Sequence, residues 1–197
     1  MSEQPREISE RAGLITARLM LRPTEAADAV LIDALTRGSV RDDIADARAW
    51  MARARLSANA EVFSVIEASS RQLVGSAGLA PAPGSETDAR EMCLWIAEPY
   101  GNRGYGTQAA KALVDHGFSN PAVGTLWFVC RSTNLRARRL IERCGFTQRD
   151  SGMARSVALR AVVSVERFQL ERRDWRSLTG LQLPTRGQHH AGTIVTH

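Results

Sequence analysis

Lysine is almost missing from this 197-residue chain: Lys111 is the only one. Arginine supplies the rest of the 26 basic residues, which face 21 acidic ones and leave a formal net charge of +5. Cysteine is scarce too. Cys93, Cys130 and Cys144 are odd in number and widely spaced, with no Cys-x-x-Cys and no Cys/His ligand spacing. That pattern excludes a disulfide framework and a zinc site, so no metal is expected and the three thiols are read as reduced. No apolar run approaches the ~20 residues that a bilayer-spanning helix needs. Met1 to Glu7 is polar, without the apolar stretch of a secretion signal, so a cytoplasmic protein is expected. Aromatics make up 6% of residues and do not interleave with Arg131, Arg136, Arg138, Arg139 and Arg143, which argues against a nucleic-acid partner.

What is present suits one globular domain: 44% hydrophobic and 24% charged residues, in a length that buries a sizeable core. Residues 1–13 read as a loose arm and Ile15 to Arg22 as a strand. Pro23-Thr24 opens a helix through Arg37, with Glu25 and Asp28 in its first turns. Asp46 is a possible cap for a second helix, Ala47 to Ser57. Strands at Glu61 to Glu67 and Gln72 to Ala80 make a hairpin through Ser69-Ser70-Arg71, and Pro81 to Asp88 is a loop. A strand at Glu91 to Ala97, a helix from Gly106 to Phe118, a strand at Gly124 to Cys130 and a helix at Asn134 to Cys144 follow. Gly145 is the expected left-handed cap. Strands at Phe146 to Arg149 and Ser156 to Glu171 close the domain, taken as residues 1–176. An irregular tail, 177–197, carries Pro184, Gly187, His189, His190 and Gly192.

The segment from Glu91 to Phe118 passes from strand to glycine turn to helix. Gly104 and Gly106 let the backbone approach a ligand closely. The first N–H groups of the helix lack internal partners and favour phosphate. Arg103 adds a charged fork, and Thr107 a hydroxyl. The turn is neither a Walker P-loop, lacking Gly-Lys-Ser/Thr, nor a full Gly-x-Gly-x-x-Gly, because Ala109 stands at the third glycine.

In context these residues resemble the GNAT superfamily of acetyl-CoA-dependent N-acetyltransferases, and most of all its RimJ/RimL-like branch. The matching blocks are Thr16-Ala-Arg-Leu-Met-Leu-Arg-Pro23, Leu73-Val-Gly-Ser-Ala-Gly-Leu79, Glu91 through Thr107, Asn134 through Phe146 and Val165 through Trp175. They run in order over residues 14–176. Three positions depart from the family pattern. Gly101 stands where Gln or Arg is common, which leaves Arg103 to carry the pyrophosphate charge. Ile141 stands where many members have an acidic tyrosine, and the related branch often has serine where this chain has Ala137.

The resemblance implies an α/β (α+β) GNAT fold. Its single, mostly antiparallel sheet of six to seven strands is splayed at the CoA site and flanked by helices on both faces. It implies acetyl-CoA as co-substrate, held by Leu94, Ile96, Ala97, Asn102, Arg103, Gly104, Tyr105, Gly106, Thr107, Asn134 and Arg138. The strand ending in Ala97 should part from its neighbour after Phe128 and offer backbone groups to the pantetheine arm, as an added strand would. Asn134 reads equally as a helix N-cap. Glu91 is the candidate general base; the bland alternative is a strand-end carboxylate paired with an arginine. Trp50 and Met51 line the acceptor cleft or pack the core. Cys144 and His116 are read as core and surface residues. The acceptor is an amine, either a protein N-terminus or a small molecule such as an antibiotic or polyamine. The rival is a CoA-binding regulatory protein without turnover. A monomer or homodimer fits.

Overall fold

Side-chain alternation decides how this sheet is covered. In the strand Ala89–Ile96 (β5), Met92, Leu94 and Ile96 point to one apolar cluster, and Cys93 and Trp95 to another. The two faces therefore need two helical layers. The computed structural model describes residues 13–36, 42–85 and 88–180. Strands Leu14–Ile15 (β1) and Leu19–Pro23 (β2) precede helices Asp28–Thr36 (α1) and Asp42–Ala54 (α2). Strands Glu61–Glu67 (β3) and Leu73–Pro81 (β4) lead to β5. A short 3-10 turn, Glu98–Tyr100, separates β5 from helix Tyr105–Ser119 (α3). Strand Thr125–Arg131 (β6), helix Leu135–Glu142 (α4), strands Thr147–Ser156 (β7) and Ala161–Glu171 (β8), and helix Arg172–Gly180 (α5) complete the order.

The eight strands form one open sheet in the order β1-β2-β3-β4-β5-β6-β8-β7. Every pairing is antiparallel except β5 with β6. α3 and α4 cover one face, where Leu113, Val114 and Ile141 pack with Leu79, Leu126 and Phe168. α2, backed by Ile32 and Leu35 of α1, covers the other through Ile44, Ala47 and Met51 against Trp95 and Ala97.

Several expected boundaries move, each for an identifiable reason. The first strand divides in two, because Thr16 turns the chain: its N–H donates to Leu19 O at 2.8 Å and its Oγ1 accepts from Leu19 N at 2.9 Å. Pro23 stays in the sheet, opposite Phe63, so α1 starts at Asp28 rather than at Pro23-Thr24. Asp46 is not a cap; it lies inside α2, which starts at Asp42. Its carboxylate instead accepts from the N–H groups of Val157 and Ala158, at 2.8 and 3.2 Å. Those bonds help hold the turn 157–160 that splits the expected strand 156–171, and Arg160 has φ +50 there. The sheet thus has eight strands where six to seven were expected. Ser177 through Gly180 belong to α5 rather than to an irregular tail. The arm at 1–12, the tail from 181 and residues 37–41 and 86–87 lie outside the described residues. Among those described, no helix is long and apolar enough to cross a membrane, and no group of His, Cys, Asp and Glu could hold a metal.

Candidate active site

β5 and β6 pair only from Ala89↔Thr125 to Met92↔Phe128. β5 then continues to Ile96 and β6 to Arg131 without touching, so the sheet opens as a V in its middle. The phase of the ladder shows which groups face the gap. Ala82 N–H donates to Ala89 O at 3.0 Å, and Ala97 N–H to Val74 O at 2.8 Å. Peptide groups alternate in direction along a strand, so the odd-numbered residues of β5 bond to β4. The N–H and C=O groups of Leu94 and Ile96 therefore turn toward the gap.

The open end of the V leads to the N-terminus of α3. Asn102 (φ +59) and Gly104 (φ +78) both adopt left-handed backbone, which reverses the chain into the helix. Gly104 is the N-cap and supplies no side-chain cap bond, so the first-turn N–H groups remain open to an anion. A Cβ on Gly106 would lie 2.7 Å from Leu140 Cδ1, so glycine is what allows α3 to approach α4 this closely.

A cleft of about 860 Å³ follows this V from one face of the sheet to the other. Of the residues expected to form a site, Glu91, Leu94, Ile96, Asn102 and Gly104 line it. So do Tyr105, Gly106, Thr107 and Asn134. Three expected residues do not. Ala97 is fully buried in the packing against α2. Arg103 is exposed, with its guanidinium 5.5 Å from the centre of the Tyr100 ring and its carbonyl accepting from Arg18 at 2.6 Å. Arg138 turns to Glu142 and Glu166, at 3.1 Å from each.

Glu91 lies on the α2 face of β5, half-buried. Its carboxylate accepts from Trp50 Nε1 at 2.7 Å. The direct partner is thus an indole rather than an arginine. Burial pushes the Glu91 carboxyl above the usual carboxylate range; the Trp50 hydrogen bond and the charges of Arg53 and Arg167 offset part of that rise. A carboxyl raised by burial that keeps one hydrogen-bond partner and lines the cleft is a candidate proton acceptor. Trp95 is buried beside it, and its Nε1 has no acceptor among the described residues.

Asn134 is the N-cap of α4: Oδ1 accepts from Ala137 N at 3.1 Å, while Nδ2 donates to Asp43 at 3.0 Å. Ile141 is fully buried in the core, whereas Ala137 and Leu140 line the cleft. Cys144 also packs in the core, outside the cleft, and burial pushes its thiol up to about 11. Cys130 lines the cleft with its thiol pushed up to about 12, so neither is a ready thiolate. His116 is half-buried and bonded to Glu61 at 2.9 Å, away from the cleft.

Sequence reasoning weighed Arg136, Arg139 and Arg143 only as part of a nucleic-acid cluster and did not place them, or Arg53 and Arg167, in the cleft. Arg136, Arg139 and Arg143 line its α4 wall, and none makes an ion pair among the described residues. Their spacing of three and four residues was the available signal, because it places them on one helical face. Arg53 and Arg167 line the opposite end.

A family model described as an acetyltransferase (GNAT) domain matches residues 18–147. No curated protein matches the chain. Among solved structures, a GCN5-related N-acetyltransferase from Brucella melitensis is 18% identical, with TM-score 0.69, over 87% of this chain and 83% of that one. RimL, a ribosomal L7/L12 alpha-N-protein acetyltransferase solved with coenzyme A, is 14% identical, with TM-score 0.64, over 81% and 98%. A spermidine N-acetyltransferase from Vibrio cholerae, solved with CoA and spermine, is 16% identical, with TM-score 0.64, over 81% and 99%. At these identities the likeness establishes the fold.

Proposed function

Because the chain belongs to the GNAT acetyltransferase family, we propose that it is an acetyl-CoA-dependent N-acetyltransferase of the RimJ/RimL-like kind, acting on an α-amino group. One observation carries the reading: the gap-facing peptide groups of Leu94 and Ile96 run directly toward the uncapped N-terminus of α3. That is a strand edge for an amide-bearing arm, ending at an anion site. The residues of the V fit acetyl-CoA on those grounds, and the chemistry requires no metal.

Acetyl-CoA supplies an acyl thioester; the amine nitrogen bonds to the acyl carbon, the C–S bond breaks, and the thiol leaves. Leu94 and Ile96 would hold the pantetheine amides, and one of their N–H groups would serve as donor to the thioester oxygen. Loss of such a donor typically costs ~3–4 kcal/mol of transition-state stabilisation. The first turn of α3, from Gly104 to Thr107, holds the diphosphate. Arg136, Arg139 and Arg143 replace Arg103 and Arg138 as the cationic wall. Glu91 takes the proton that the amine loses. An α-amino group with pKa about 7.8 is ~15% neutral at pH 7, against ~0.04% for a lysine at about 10.4, so an N-terminus asks little of that base. A thiol leaving group with pKa near ~8.5 needs little acid help, which makes Ile141 tolerable.

Calorimetric titration with acetyl-CoA should give one saturable site that Gly104→Glu abolishes. A panel of N-terminal peptides and small amines, read by thiol release, then tests turnover. Absence of acetyl-CoA binding by the wild type overturns the reading. Binding without turnover of any amine leaves a CoA-binding regulatory protein in its place.

A further inference from the structure

The cleft has two chemically different ends, set by side-chain parity. Met92, Leu94 and Ile96 belong to the α3 face, where the proposed cofactor groups are. Glu91, Cys93 and Trp95 open on the α2 face, where an acceptor would reach the base. Every carboxylate lining that acceptor end already has a partner. Glu91 accepts from Trp50, Asp43 from Asn134, and Asp46 from Arg131. The donors are not matched in this way. Arg53, in the last turn of α2, makes no ion pair among the described residues. Arg167, on β8, has Asp150 at 3.6 Å, with both side chains about half exposed. Both guanidiniums act electrostatically on Glu91 without bonding to it. A favourable helix-end position explains an arginine at the C-terminus of α2, but not two guanidiniums around one carboxylate that bonds to neither.

We infer that the acceptor is an amine carrying a carboxylate close to the reacting nitrogen, recognised by Arg53 and Arg167. This inference rests on the acetyltransferase reading and names its substrate class. Arginine suits the task because its planar fork matches a carboxylate with two hydrogen bonds. The same charges repel a polyamine or an aminoglycoside at the point where such a molecule must approach Glu91. The carboxylate has two possible sources: an Asp or Glu side chain near a peptide's N-terminus, or the α-carboxylate of a free amino acid.

The test pairs isosteres. Peptides with Asp or Glu at their second residue are compared with those carrying Asn or Gln, and free amino acids with their amides. For each, kcat/KM is measured by thiol release, and binding by calorimetry in the presence of CoA. The acidic peptide should exceed its amide isostere by at least about tenfold, the usual span for a hydrogen bond to a charged group. A preference among the free amino acids instead assigns the α-carboxylate. Arg53→Gln and Arg167→Gln should each lower the acid-to-amide ratio toward one. A variant that loses acetyl-CoA binding is discarded as misfolded, and the wild-type ratio then decides alone. If the wild type binds acetyl-CoA but treats both members of each pair alike, or prefers spermidine, the inference falls while the acetyltransferase reading stands. If it binds no acetyl-CoA, both fall together.

Discussion

Trp50 Nε1 donates to the Glu91 carboxylate at 2.7 Å, linking α2 to the strand at which the sheet opens. The bond spans 41 residues of sequence and fixes the orientation of the one carboxylate raised by burial at the mouth of the V. It stabilises the ionised form, so it opposes the effect of burial. Trp50→Phe keeps the packing and removes the donor. The Glu91 carboxyl should then rise further, and the acid limb of the kcat/KM profile should move to higher pH. Rates over pH 5–9 on a peptide acceptor check this. A limb that stays in place means that Glu91 is not the titrating base.

Glu91 also costs the fold something. Its native pKa is raised, so between the unfolded and folded values the native state holds more protons than the unfolded chain. Stability therefore falls as pH rises through that window, which begins near the usual ~4.3. Glu91→Gln keeps an oxygen for Trp50 and removes the buried charge. The variant should lose turnover, keep acetyl-CoA binding and melt about 2–4 °C higher at pH 8, the equivalent of ~1 kcal/mol in a chain this long. At pH 4 the difference should vanish. Melting curves at both pH values decide it.

The sequence carried the fold well where pattern and chemistry agreed. The hairpin of β3 and β4 and the turn into α3 were readable from local periodicity and glycines, and the parting of β5 from β6 after Phe128 followed from the family resemblance. The break at Thr16 is local, but other boundaries that moved depend on distant partners. Nothing near Asp46 says that its carboxylate will hold the turn at 157–160, more than 100 residues away. In the site, Glu91 and the glycines were legible from their order. Arg103 and Arg138 were chosen for their charge, yet orientation removes both from the cleft. Charge can be read from a sequence; the direction of a long side chain depends on tertiary neighbours such as Tyr100 and Glu166.

A buried ion pair far from the chemistry makes a separate prediction. Asp28 is almost wholly buried and accepts from Arg22, Ser64 and Glu25 N. Burial works to raise its carboxyl, but the hydrogen bonds of Arg22 and Ser64 outweigh it and hold the carboxyl below the usual range. A depressed native pKa contributes stability above the unfolded value, ~3.9, and loses it as pH falls through the folded value. Asp28→Asn leaves the Arg22 guanidinium only the exposed Glu25 carboxylate at 3.3 Å and should cost about 2–4 kcal/mol at pH 7. The loss should shrink below pH ~3. Urea unfolding across pH 2–7 measures both, and a pH-independent loss would mean that packing rather than charge sets it.

Arg138 and Arg139 are neighbours on α4, yet the rotation of about 100° between successive helical residues sends them to different tasks. Arg138 bridges Glu142 and Glu166, and the Glu166 carboxylate is nearly buried with its second oxygen already unpartnered. Arg139 lines the cleft beside Arg136 and Arg143, with no ion pair of its own among the described residues. Arg138→Ala should therefore leave acetyl-CoA affinity within about twofold. It should still cost ~1–3 kcal/mol of stability, because a buried carboxylate loses its charged donor. Arg139→Ala should do the reverse, with little change in melting and an affinity about threefold to tenfold weaker at low salt. That loss should shrink at 0.5 M salt, where the Debye length is shorter than the distance between an exposed guanidinium and most of the cofactor's charge. Calorimetry and thermal melts on the two variants separate the roles. If Arg138→Ala weakens acetyl-CoA more than Arg139→Ala does, its bonds to Glu142 and Glu166 must give way when cofactor binds, and the α4 wall is rebuilt around the ligand.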